Sequence, residues 1–258
     1  MKKITLLTLV MLLALPALAG TKTVDESVKA SPDAEVSIEL IAGKVRVIGW
    51  NRSEIRVQGS LNDKWETLEI DGDGDDISIE ISLPDGRHRN VDLDADLEIS
   101  VPQGVELTFE TVSAPLTVEG LTNVLSVESI SGSIVVGSGL NEVEIESISG
   151  RVEIAGDQHL DSVDVESVSG SIEYVGDLVS DGDYSFAIVS GQITLYVPSG
   201  ASAEYSIETF SGSIDNDFGP EPKKTEWLSS EELAFSVGSG SADVTVEAVS
   251  GTIRLKAD

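Results

Sequence analysis

The 258-residue chain carries 46 acidic against 16 basic residues, a formal charge of −30, has no cysteine and is 40% hydrophobic. Such a charge repels nucleic acid and anionic lipid headgroups, and the missing cysteines exclude disulfides, thiolate metal sites and a lipid-modified cysteine. Acidity of this degree accompanies disorder where apolar residues are scarce; here they alternate regularly, so the chain folds and carries its charge on its outer faces.

Residues 1–19 read as a cleaved secretory signal. Met1, Lys2 and Lys3 give a positive start, Ile4 to Leu15 is an apolar run, and Ala17, Leu18 and Ala19 form a small-x-small cleavage pattern. The run is short for a membrane span, and no later segment is apolar enough to cross a bilayer. Without Lys2 and Lys3, 14 basic residues face 46 acidic ones, a net charge of −32. Residues 20–258 are expected to form a single strand-repeat domain, long enough to bury a core without disulfides.

The first strand-like segments run from Val36 through Gly43 to Trp50, followed by a turn at Trp50, Asn51 and Arg52. The tract Asp71 to Asp76, DGDGDD, separates LEI from ISIEIS and reads as a solvated hairpin turn. Asp71, Asp73 and Asp75 place carboxylates at alternate positions, as calcium loops do. Asp76 stands where such a loop needs glycine and Ser82 where it needs a bidentate glutamate, so calcium is the weaker reading. The segment Asp85 to Asn90, DGRHRN, is the most basic stretch after the signal. With Asp71 to Asp76 and Asn216 to Glu232, it reads as a lateral loop on a repeat scaffold.

From residue 113 onward one phrase recurs, an alternating apolar segment closed by Ser-Gly and followed by a second. The glycines are Gly132, Gly150, Gly170, Gly191, Gly212 and Gly251, a step of 18 to 21 residues and then of 39. Degenerate copies sit at Gly43 and at Ala114. With the glycine as zero, apolar residues fill positions −7, −5 and +2, three inward columns at the strand period of two. Parity changes at the Ser-Gly step, so the backbone turns or bulges there; glycine permits positive φ and the serine hydroxyl can satisfy a freed backbone group. The residue at −2 (Ile130, Ile148, Val168, Val189, Phe210 or Val249) would stack in a column of its own.

Two short strands per step in register predict an all-β fold, a right-handed parallel β-helix-like β-solenoid of repeats of about 20 residues. An antiparallel meander closing into a sandwich or open barrel is the alternative.

Position −4 holds Glu39, Glu110, Glu128, Glu146, Glu166, Glu208 and Glu247, interrupted by Ala187. These side chains point outward and would form a ladder with rungs about 4.8 Å apart. One reading is a solvated face whose like charges deter edge-to-edge aggregation; the sharper one is a ladder neutralised by divalent cations or a cationic partner. Enzyme chemistry finds little support: His88 and His159 lie in different repeats outside any ligand or nucleophile motif, and no Gly-x-Ser-x-Gly elbow exposes a serine. Paired carboxylates leave polysaccharide cleavage as the one enzymatic reading, with basic and aromatic partners only at Trp50 to Arg52 and Lys223 to Trp227.

The GKVRVIGW segment from Gly43 to Trp50, the VPQG segment from Val101 to Gly104 and the serial S-G-S-I and S-G-R-V corners resemble the bacterial putative-adhesin family of exported β-strand-repeat proteins, a domain of unknown function. The resemblance covers roughly residues 25 to 258. It implies a β-solenoid-like domain in the cell envelope, sometimes linked to envelope-stress signalling, and brings no catalytic residues. The expectation is therefore an exported, non-enzymatic protein, periplasmic or on the outer surface, with an adhesin-like binding or scaffolding role toward an envelope glycan or protein and no resident cofactor. Envelope-stress sensing stands second and a polysaccharide-active enzyme third.

Overall fold

The computed structural model describes residues 20–62, 67–82, 95–155, 160–224 and 230–257, and of Asp73 the backbone alone. These residues form strands and no helix. The first eight strands are β1 (Thr21–Ala42), β2 (Lys44–Trp50), β3 (Glu54–Asn62), β4 (Thr67–Ser82), β5 (Asp96–Pro102), β6 (Glu106–Ser113), β7 (Leu116–Glu119) and β8 (Val124–Val136). They are followed by β9 (Glu142–Ala155), β10 (Ser162–Val175), β11 (Asp183–Val197), β12 (Ala203–Thr209), β13 (Ser213–Asn216), β14 (Lys223–Lys224), β15 (Glu231–Val237) and β16 (Ala242–Ala257).

The three apolar columns are buried at every copy, from Val36, Ile38 and Val45 to Val244, Val246 and Ile253. They belong to one continuous hydrophobic core. Strict alternation makes this possible: in an extended chain residues two apart share a face, so β-branched side chains at −7 and −5 enter the core together. Aromatic residues widen the core late in the chain. Tyr174, Tyr184 and Phe186 pack with centroids 5.7 to 5.8 Å apart, and Tyr205 stacks on Phe235 at 4.7 Å. Burial pushes the Tyr205 hydroxyl up to about 12, so it stays neutral at physiological pH.

β8, β9, β10, β11 and β16 are long strands bent at their glycines, and they pair in parallel with like residues opposed. Ser131, Ser149, Ser169, Ser190 and Ser250 register with one another, and so do the glycines that follow them. At the bend Gly132, Gly150, Gly170 and Gly191 take φ of 136°, 143°, 129° and 143°. A Cβ on Gly150 would lie 1.9 Å from the carbonyl oxygen of Gly132, and one on Gly170 equally close to that of Gly150. The corners stack only because no side chain intervenes. Three of these serines cap the layer below: Ser131, Ser149 and Ser169 donate from Oγ to the carbonyls of Val112, Ile130 and Ile148 at 3.1 to 3.3 Å.

The sheet as a whole corrects the expected open β-solenoid. The hydrogen-bonded path β8–β6–β1–β3–β5–β2–β7 returns to β8, a closed seven-stranded barrel with the other strands outside it. Closure has two causes. β3 runs antiparallel to both β1 and β5, so the N-terminal third is not a stack of like coils. β8, bent at Gly132, offers its first half to β6 and its second to β7, which joins the two ends of the path. Outside the ring, β9, β10, β11, β16 and β12 continue from β8 and end on the antiparallel β15 and β14, while β4 lies on β1 and β13 on β16.

The stacked corners make Gly150→Ala a severe change. It combines a backbone overlap with positive φ, and we expect a loss of about 3 kcal/mol or more, or failure to fold. Gly74 also has positive φ, 73°, but open space where a Cβ would be. Gly74→Ala should cost only about 1 kcal/mol. Urea unfolding of both variants checks this, and comparable losses would contradict the corner argument.

Candidate functional site

Alternation carries position −4 to the outer face, and the register aligns its residues across ten strands, nine parallel and β15 antiparallel to β12. In spatial order they are Glu80, Glu39, Glu110, Glu128, Glu146, Glu166, Ala187, Glu247, Glu208 and Glu232. The six rungs singled out from sequence, Glu110, Glu128, Glu146, Glu166, Glu208 and Glu247, are thus brought together with Glu39. Glu80 and Glu232 were missed because neither β4 nor β15 carries a Ser-Gly corner to align on. The inward neighbours Ile79, Ile81 and Leu233 could have placed both on the outer face. All nine glutamates are exposed, and none makes an ion pair among the described residues.

Two residues further along, position −2 is on the same face. Ile41, Val112, Ile130, Ile148, Val168, Val189, Val249 and Phe210 form a second ladder, each between 39% and 59% exposed. Registered pairs on either side fix the alignment, as where Ser167 opposes Ser147 and Ser169 opposes Ser149 around Val168 and Ile148. Eight large apolar side chains in one exposed row are unusual for a surface. The two ladders line a groove of about 920 Å³, which position −3 also lines. At −3 are Thr111, Ser147 and Thr209, whose buried hydroxyls have no hydrogen-bond partner among the described residues.

Charge is divided between the two halves of the repeat. Beside the glutamate ladder, position −8 adds Glu35, Glu106, Glu142, Asp183, Glu204 and Asp243, and −6 adds Glu144 and Asp164, all outward. The basic side chains of the repeats, Lys44, Arg46, Arg151, Arg254 and Lys256, lie beyond the corner on the second halves. Three of them are paired there: Arg46 with Glu119 and Glu98 at 2.7 and 3.6 Å, Arg151 with Glu153 at 3.7 Å, and Lys256 with Asp215 and Asp217 at 2.7 and 3.2 Å.

At one end the groove is closed by Ser230, Glu231 and Glu232. Glu231 is buried, accepts the Ile214 N–H at 2.8 Å and meets Lys224 Nζ at 2.8 Å. The segment from Asn216 to Glu232, expected as a lateral loop, therefore includes strand β14, whose Lys223 and Lys224 pair antiparallel with β15.

The other candidates are not assembled into a site. Asp71 and Asp75 are exposed; Asp71 accepts the Gly72 N–H at 3.0 Å and Asp75 the Ser31 hydroxyl at 2.5 Å. The side chain of Asp73 lies outside the described residues. The tract expected as a loop between two strands lies within β4, with positive φ at Gly72 and Gly74. Among the described residues no three histidines or carboxylates converge as metal ligands. His88, His159, the Asp85 to Asn90 segment and Trp227 lie outside the described residues, as do residues 1–19. Trp50 donates from Nε1 to the Glu54 carbonyl at 2.8 Å and is covered by the Arg52 guanidinium at 4.7 Å. The small cleft of about 270 Å³ beside it has no acidic residue in its lining. Paired carboxylates for glycoside cleavage are not brought together there.

A family model described as Toastrack DUF4097 matches residues 33–256. The chain belongs to the Toastrack DUF4097 family. This agrees with the resemblance carried by the Gly43 to Trp50 and Val101 to Gly104 segments and by the Ser-Gly corners. No curated protein matches the Toastrack chain in sequence. Solved structures similar to it include a putative cell adhesion protein from Clostridium sporogenes, 16% identical over 92% of this chain and 100% of that one, with a TM-score of 0.37. Another is a putative adhesin from Bacteroides fragilis, 12% identical over 91% and 97% of the two chains, with a TM-score of 0.46. A third, also a putative adhesin, comes from Parabacteroides distasonis, 10% identical over 90% and 97%, with a TM-score of 0.35.

Two outcomes test the electrostatics of this Toastrack groove. Carboxylates on adjacent rungs repel by about 1 kcal/mol per pair in water and less in salt. Glu146→Gln relieves two such pairs, about 2 kcal/mol in all, so its melting temperature should exceed that of the parent by about 4–8 °C at low salt, with the gap closing in 0.5 M salt. A gap unaffected by salt would show that repulsion is not its source. For Glu231, burial pushes the carboxyl up, but the Lys224 ammonium and the Ile214 N–H outweigh it and hold the group below the usual range. The unfolded chain therefore binds this proton more readily than the folded one. The stabilisation is complete above the ordinary carboxylate range and is lost as pH falls through it. The parent should exceed Glu231→Gln in unfolding free energy at about pH 7 and lose that advantage near about pH 3; a constant difference across this window would contradict the assignment.

Proposed function

We propose that this Toastrack protein is an exported, non-enzymatic binding module of the cell envelope, adhesin-like in that it holds a partner along the two-ladder groove. The observation that carries the reading is the pairing of an uncompensated glutamate ladder with an exposed aliphatic ladder along one groove. Exposing eight large apolar side chains and aligning nine carboxylates both work against the isolated fold, and both costs fall when a partner covers the row and supplies positive charge. The signal-like residues 1–19 support export to the envelope. A row of carboxylates in a line suits a linear array of positive charges better than one metal ion, whose ligands must converge on a point.

Cosedimentation with isolated cell envelopes tests the reading. The parent protein should sediment with the envelopes, and the variant carrying Glu146→Lys, Glu166→Lys, Ile148→Ser and Val168→Ser should show at least a fivefold smaller bound fraction. Equal sedimentation would remove the groove from the binding surface. Release of reducing ends from envelope polysaccharide by the purified protein would overturn the non-enzymatic assignment.

A further inference from the structure

The geometry points to the class of partner: we infer that the groove takes an amphipathic α-helix with a lysine or arginine stripe beside an apolar stripe. The inference rests on the reading of the groove as a binding surface and goes further by fixing the occupant's backbone and pattern.

The argument begins with the groove floor, which is a sheet face and not an edge. In the first halves of β6, β8, β9, β10, β11 and β16 every strand has a hydrogen-bonded neighbour on both sides. Even the carbonyls at the bulge position are engaged, since those of Val112, Ile130 and Ile148 accept the corner serines. A ligand lying across these strands finds no ladder to join, so strand addition is unavailable. Its own backbone groups, pressed against an apolar wall, must be satisfied internally. A helix does this and an extended peptide does not.

Dimensions agree. Rungs repeat at about 4.8 Å, so the eight apolar rungs from Ile41 to Phe210 span about 34 Å. A helix advances about 5.4 Å per turn and about 1.5 Å per residue, so about 22 residues cover the same length in about six turns against seven rung intervals. Same-face residues of an extended peptide recur at about 6.8 Å and fall out of step within three rungs. Across the groove, the glutamate and aliphatic ladders are two residues apart along each strand, about 6.6 Å. Successive residues on a helix turn by about 100°, so stripes one residue apart lie side by side across its axis and can face the two ladders at once.

Charge fixes the sign of the partner. The nine ladder glutamates make no ion pair among the described residues, and the outer face beside them is acidic, so an anionic or neutral helix gains nothing from that wall. Long cationic side chains also lay their methylene stems over apolar surface while their heads reach the carboxylates.

The test uses a fluorescein-labelled 22-residue leucine–lysine peptide patterned as an amphipathic helix, titrated by anisotropy with the full chain, with circular dichroism recorded in parallel. The expected result is saturable binding with a rise in helicity, at least tenfold weaker for a scrambled peptide of the same composition. Binding should also weaken at least tenfold in Glu146→Lys/Glu166→Lys and in Ile148→Ser/Val168→Ser, and stay within twofold in Glu173→Lys, on the second half of β10. Glu146→Gln/Glu166→Gln removes charge without adding any and should weaken binding at least threefold should the reversal disturb folding. Equal affinity for the scrambled peptide, or no loss in Ile148→Ser/Val168→Ser, overturns the helical partner. If poly-lysine binds and is lost with the glutamates while the patterned peptide has no advantage, the binding groove stands and the helix falls. If no groove variant alters the binding of any probe, both fall.

Discussion

Everything in this fold depends on how closely backbones can approach at the Ser-Gly corners. Where Gly150 sits over Gly132 and Gly170 over Gly150, a single methyl group would overlap a carbonyl oxygen. That contact fixes the register of the long strands, because only corner against corner fits. Register in turn decides that valine meets valine inside and glutamate meets glutamate outside. A slip of one residue would send every column to the wrong face. The acidic ladder is thus a by-product of a steric lock, held in line although its members repel.

Much of this was legible in the chain. Period-two alternation put Val36, Phe109, Ile145 and their counterparts in the core, and the structure buries them. The ladder from Glu110 to Glu247 followed from the same alternation. Ring closure was not legible, because it turns on β3, whose sequence EIRVQGSLN alternates like its neighbours but runs the other way. Direction is set by which backbone groups meet, and side-chain pattern is silent on that. The aliphatic ladder was visible as a column, yet hydrophobicity by itself suggests burial. Alternation said otherwise: with −7, −5 and −3 inward, −2 must face out, and the bulge at the corner restores parity only afterwards.

The division of charge shows two strategies within one repeat. Second halves carry the basic residues and pair three of them, Arg46 with Glu119, Arg151 with Glu153 and Lys256 with Asp215. First halves leave their ladder glutamates unpaired beside exposed aliphatics. A surface serving solubility alone would mix the signs and scatter the apolar residues. Segregating them along one line costs stability at every rung.

Ala187 breaks the glutamate row after Glu166, leaving six carboxylates on one side and three on the other. The aliphatic row is lopsided too, with Ser82 of β4 beyond Ile41 at one extremity and the aromatic Phe210 at the other. An uninterrupted row would read the same from either end and let a long molecule slide or reverse upon it. For the proposed helical partner the gap would serve as a keyway. It gives the row a head and a tail, so a rod with its charges in unequal blocks seats in one orientation and at one offset.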